Sequence, residues 1–163
     1  MTHPTRIFSF AAAMLVVLGI APPAHSAKSQ TPASGVHAYI QSVTSKKTAD
    51  LYTVPITRAA VHNQVPPLLV AKVVHRESDF DPSCVTGDCV GLMQVNPGLW
   101  ARKGENMFRV KDNLEAGCRL LSYLHHRFPN WGQALTAYNY GEFHQVTREV
   151  GTSRYAFLVL SGR

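Results

Sequence analysis

Glu77 is the side chain best placed for acid–base chemistry in this 163-residue chain. Read as part of a helix that opens at Pro66-Pro67, it is followed back along one face by Val74, Val73, Val70 and Leu69. All four are apolar, so the carboxyl shares a buried stripe. Burial penalises the charged form and raises a carboxyl pKa. A carboxyl that keeps its proton near neutrality is what a general acid requires. Two other readings stay open on position alone: a helix-terminal Glu reaching water, or one pairing with Arg76 or Lys72.

The elements that must position Glu77 are helical. The prolines suit a helix start, the helix continues to about Ser78, and Asp81-Pro82 stop it. A segment over Ile56–Asn63 reads as one helix, and Gly91 to about Arg102 as a short one interrupted or restarted near Pro97. The clearest helix is Asp112–Phe128, where Leu114, Cys118, Leu121, Leu124 and Phe128 form one apolar stripe. Trp131–Tyr140 and Arg154–Leu160 complete the set. Strand alternation is nearly absent and no repeat occurs, so the fold class is all-α, a single helical domain over residues 36–163.

Composition narrows the partners. Hydrophobic residues make up 45%, enough for a core, and charged residues only 16%, which argues against solvated tails and coiled coils. Sixteen Lys and Arg against ten Asp and Glu give +6, which favours an anionic partner: nucleic acid, a membrane surface or an acidic cell-wall polymer. A charged recognition helix, an aromatic RNA motif and zinc spacing are all missing, so nucleic acid is not the expected partner.

The N-terminus suggests export. Arg6, the apolar run Phe8–Ala21, Pro22-Pro23 and the triplet Ala24-His25-Ser26 follow the order of a secretory signal over residues 1–26, cleaved after Ser26 or Ala27. An uncleaved anchor is the alternative. Cleavage leaves a flexible leader over 27–35, no stable membrane anchor, and a periplasmic or exported location. In an oxidising compartment Cys84 and Cys89, which bracket Val85-Thr86-Gly87-Asp88, are the expected disulfide. Cys118 then reads as a core thiol, and an 89–118 pairing is the lesser alternative. No metal and no cofactor are expected: the cysteines lack paired ligand spacing, and the adjacent His125-His126 point apart on their helix. Trp100 and Trp131 read as core or groove-rim aromatics.

The segment after Glu77 carries a family likeness. Glu77-Ser78, a small loop, and Gly91-Leu92-Met93-Gln94-Val95-Asn96-Pro97 resemble the lytic transglycosylases of the soluble SLT type. Asn113-Leu114-x-x-Gly117 resembles the family's Asn-x-x-x-Gly helix, and Ala137-Tyr138-Asn139-Tyr140-Gly141 its Ala-Tyr-Asn-x-Gly motif. Thr152-Ser153-Arg154-Tyr155 followed by Val159-Leu160 resembles the closing helix. The likeness covers roughly Ile56 to Leu160, in the family's order. Asn96 departs from the Met of many members, and Gln-x-Asn is similar to small single-domain enzymes attached to secretion and conjugation machines. Gly141-Glu142 replaces the common Gly-Pro and leaves Glu142 as an outside candidate for a second carboxyl.

The resemblance implies a lysozyme-like domain that cuts peptidoglycan glycan strands between N-acetylmuramic acid and N-acetylglucosamine, with secretion or conjugation components as further partners. Glu77 would be the sole acid/base, and the product a 1,6-anhydro sugar. Thr86, Gln94, Asn96 and Asn139 would meet the sugars. Tyr138 would hydrogen-bond Glu77 or an acetamido group. Met93 is open between sugar contact and core, Gly91 between close backbone approach and a helix-start turn, and Tyr155 between groove wall and core aromatic. A lysozyme-type hydrolase using Asp79, Asp88 or Glu142 to place water is the second reading, and a non-catalytic glycan binder the third.

Overall fold

The computed structural model describes residues 31–141 and 153–162. The signal read over 1–26, Glu142 and Thr152 lie outside the described residues. The described chain runs α1 (Pro32–Val43), α2 (Lys46–His62), α3 (Pro67–Ser78), β1 (Val85–Thr86), β2 (Cys89–Val90), α4 (Pro97–Trp100), α5 (Val110–Arg127), α6 (Trp131–Tyr140) and α7 (Arg154–Ser161).

Local chemistry explains most of the helix starts. Ser45, Asn130 and Ser153 each turn a side-chain oxygen onto a backbone N–H of the first turn of α2, α6 and α7, a cap worth about 1 kcal/mol. Thr31 does the same for α1, followed by Pro32 at the first helical position. The leader expected over 27–35 therefore gives up Pro32–Gly35 to a helix, because Val36 and Ile40 one turn on are fully buried and anchor it. Helix α2 is also longer than the Ile56–Asn63 expectation. It runs through Pro55, since Ala49, Tyr52, Ile56, Ala59 and Ala60 bury on one side, and tertiary packing outweighs the hydrogen bond that the proline removes.

Helix α3 buries Leu69, Val70, Ala71, Val73 and Val74 and stops at Ser78. It is ended by two consecutive left-handed residues, Asp79 (φ 49°) and Phe80 (φ 63°), ahead of the Asp81-Pro82 pair expected to end it. The conformation is held by the Asp79 N–H donating to His75 O at 3.0 Å, and by burial of Phe80 between the Tyr52 and His75 rings, each 6.0 Å away between centroids. The chain then forms a two-stranded antiparallel hairpin, with Val85 opposite Val90 and Thr86 opposite Cys89. Strands of two residues are too short to show alternation, which is why the helical reading did not contain them.

Helix α5 lies at the centre, with Leu114, Ala116, Gly117, Cys118, Leu121 and Leu124 buried against α2 on one side and α6 on the other. Cys118 is the core thiol that its spacing suggested. Helix α7 runs antiparallel to α3: Tyr155 near its start meets Glu77, and Leu160 near its end accepts from the Lys72 ammonium at 2.8 Å. No helix among the described residues is long and apolar enough to cross a membrane.

Candidate active site

Glu77 lies in the last turn of α3, half-buried, with the valine stripe behind it buried as its spacing required. The Tyr155 hydroxyl donates to Glu77 Oε1 at 2.5 Å. Burial pushes the Glu77 carboxyl above its ordinary range, and the Tyr155 hydrogen bond and the Arg76 charge oppose this without cancelling it. Among the described residues, no carboxylate is one of the groups acting on its charge. The alternatives of a solvent-directed Glu or a Lys72 pair give way: Lys72 is spent on Leu160, and the Glu77 carboxyl faces Tyr155.

The Gly91–Asn96 loop that follows the hairpin is held by residues the sequence reading did not assign to it. The Ser78 hydroxyl donates to Leu92 O at 2.9 Å, pinning the end of α3 to the Gly91–Asn96 loop. Asn113, at the start of α5 and 1% exposed, does more. Its Oδ1 accepts from the Met93 N–H at 2.8 Å, and its Nδ2 donates to Val90 O at 2.8 Å and Met107 O at 2.9 Å. One amide thus satisfies three buried backbone groups. Gly91 (φ 76°) makes this possible, since a Cβ there would stand 2.4 Å from Asn113 Nδ2 and 2.7 Å from Met107 O. At Gly117 a Cβ would meet Met93 Sδ at 2.4 Å and Met93 Cβ at 2.8 Å, so the two motif glycines serve backbone and helix packing.

These contacts correct several expectations. Met93 is fully buried against Gly117, which resolves its open reading toward core. Gly91 is buried beside Asn113 and has no open face for a sugar. The Tyr138 hydroxyl donates to Met93 O at 2.7 Å, not to Glu77. Tyr138 still feels the carboxyl, for its phenol is pushed well up by burial and then by the Glu77 charge. Tyr155 takes the role foreseen for Tyr138: its phenol is raised by burial and by Glu77 together. Gln94 sits in a left-handed conformation (φ 46°) and donates Nε2 to Cys84 O and Gly91 O, both at 3.0 Å, so its amide braces the hairpin. Its Oε1 is buried without a hydrogen-bond partner. Asn96 caps α4, accepting from the Gly98 N–H at 2.9 Å. Thr86 on β1 and Asn139 at the end of α6 are exposed, as a sugar-facing role requires.

The cysteines differ from expectation too. Cys84, Cys89 and Cys118 are free thiols in this structure, and the 84–89 bridge is not formed. In the hairpin Cys89 stands opposite Thr86, and Cys84 O accepts from the Gly91 N–H at 2.8 Å. Cys89 lies close to the carboxyl nonetheless, its thiol pushed up first by burial and then by the Glu77 and Asp88 charges. Trp131 stacks on His125 at 3.9 Å between ring centroids, and Trp100 tilts against Tyr123 at 5.7 Å.

Helices packed around a central α5 with a small hairpin define an all-α, lysozyme-like domain, and the half-buried Glu77 carboxyl is its candidate acid–base group. The family model of the transglycosylase SLT domain matches residues 55–156, well over half of the chain. The chain belongs to that family, whose domains act as lytic transglycosylases on peptidoglycan. Among curated proteins no significant match to the chain was found.

Proposed function

We propose that the chain is an active lytic transglycosylase that cleaves the β-1,4 bond between N-acetylmuramic acid and N-acetylglucosamine with Glu77 as its only acid/base. The observation that carries this reading is a half-buried carboxyl, raised by burial and held by Tyr155. Glu77 gives its proton to the glycosidic oxygen as the C1–O bond breaks. The carboxylate then takes the proton of the muramoyl C6 hydroxyl as that oxygen bonds to C1. The 1,6-anhydro ring closes, no water is consumed, and Glu77 ends protonated. One carboxyl suffices because the second nucleophile is the substrate's own hydroxyl, whereas ordinary glycosidases use a pair. Tyr155 orients the carboxyl between the two steps. Thr86, Asn139 and Asn96 are the proposed sugar contacts, and Gln94, Met93, Gly91 and Tyr138 shape the floor beneath them.

In this reading the leader over 1–26 exports the chain, and the enzyme opens the wall for a secretion or conjugation apparatus. N-terminal sequencing of the exported protein would then begin at Ala27 or Lys28.

Mass analysis of muropeptides released from purified sacculi tests the chemistry. The expected products are one water lighter than hydrolytic ones and resist borohydride. Glu77→Gln keeps the side chain's size but removes the titrating proton, and should cost ten-thousand-fold or more, the upper end of acid–base effects of about a hundred- to ten-thousand-fold. Reducing ends as the main product would make the enzyme a hydrolase, and full activity of the variant would remove Glu77 from the chemistry.

A further inference from the structure

A cavity of about 590 Å³ lies away from Glu77, between the α2–α3 turn, the α4 segment and the outer face of α5. None of Glu77, Tyr138 and Tyr155 lines it. Its wall is the Trp100 indole, tilted against Tyr123. The segment carrying Trp100 is stapled to α5. Arg119 donates to Glu105 Oε2 at 2.8 Å and to Trp100 O at 3.4 Å, and the same Glu105 oxygen accepts from the Arg102 N–H at 2.8 Å. The staple holds the backbone of residue 102 and leaves its guanidinium on the rim, exposed and in no ion pair among the described residues.

The carboxylates nearest this trough are already occupied. Glu105 is taken by Arg119, and Glu115 by His62 and the Asn63 amide at 2.9 and 2.8 Å. The rim therefore keeps the Arg102 guanidinium exposed, its charge felt by Glu105 but held in no ion pair among the described residues. A flat indole beside a guanidinium recognises a ligand with an apolar face and a carboxylate, since Arg matches carboxylates with a planar fork. We propose that this trough is a second binding site, for the carboxylate-bearing stem peptide of a peptidoglycan strand. The inference rests on peptidoglycan being the substrate. That substrate also decides the ligand, because each strand carries acidic peptides at regular intervals, and an open trough admits a polymer where a closed pocket would not.

Calorimetric titration of the Glu77→Gln protein tests this with three probes: a disaccharide tetrapeptide, glycan strands stripped of peptide by an amidase, and hexaglutamate. The tetrapeptide compound should bind, and Arg102→Ala should weaken it roughly tenfold, the size of a lost charge-assisted hydrogen bond. Trp100→Ala should weaken it similarly. Binding of stripped strands should not change in either variant. If Trp100→Ala fails to fold, Arg102→Ala, altered at an exposed side chain, carries the test. Equal affinity of Arg102→Ala and its parent for the tetrapeptide compound would overturn the proposal. So would hexaglutamate binding as tightly as that compound, which would assign the trough to an acidic polypeptide. Binding is read without catalysis, so its failure leaves the Glu77 mechanism standing, and failure of the mechanism leaves the binding result interpretable.

Discussion

Glu77 is stabilised in its protonated form, and this has a consequence for folding. Burial lifts its pKa above the ordinary 4.5, so between that value and the raised one the folded state holds more proton than the unfolded state. Stability must fall as pH rises through that window, and the loss is complete above the folded-state pKa. Glu77→Gln removes the titrating group. Its melting temperature should therefore match wild type at acid pH and exceed it at neutral pH, a difference that calorimetry across the window reads directly. Tyr155 supplies a second prediction. Its hydroxyl donates to the carboxylate and holds the Glu77 pKa down against the effect of burial. Tyr155→Phe should move the alkaline limb of the pH–rate profile to higher pH while lowering kcat. A Tyr155 that merely filled space would leave the limb where it is.

The element that decides the shape of the site is the loop between β2 and α4, and Asn113 is its chief support. Asn113→Ala leaves the Met93 N–H and the Val90 and Met107 carbonyls buried without their partner. Each orphaned group costs about 1–3 kcal/mol, and with partial relaxation the total should be about 3 kcal/mol, checked by denaturant unfolding. Gly117→Ala attacks the same loop from beneath, since the new methyl would overlap both Met93 Sδ and Met93 Cβ. Overpacking of this kind costs about 1–3 kcal/mol, and activity should fall with it because Met93 O is what the Tyr138 hydroxyl holds. The helices were legible where an apolar stripe is joined by a start signal, the prolines of α3 and the capping residues of α6 and α7, and for α5 on the stripe alone. They were missed where packing overrides a local signal: α2 passes through Pro55, and α1 begins inside a stretch whose Ser, Pro and Gly content reads as loop.

At the scale of the whole molecule, the excess of basic over acidic side chains, +6 in all, should act on the encounter with an anionic wall. Binding of the Glu77→Gln protein to sacculi should weaken as salt rises from about 10 to 150 mM, over which the screening length falls from about 30 to 8 Å. Cosedimentation at graded ionic strength measures this, and a flat response would show that the net charge takes no part.

The sequence alone determined that the chain is helical, that Glu77 lies on an apolar face, and that four motifs stand in one order. These are local properties, written in periodicity, in turn residues and in spacing along the chain. Only the tertiary structure decided which groups meet. Tyr155 reaches Glu77 across 78 residues of chain, and Asn113 reaches Met93 across 20. No pattern within either segment encodes that pairing, because it arises from α7 lying antiparallel on α3 and from α5 passing beneath the loop. The same holds for Tyr138, which the motif places at the site but whose hydroxyl goes to a backbone carbonyl. Residue types announce the chemistry a site can perform; the packing of helices far apart in the chain selects which side chain touches the Glu77 carboxyl.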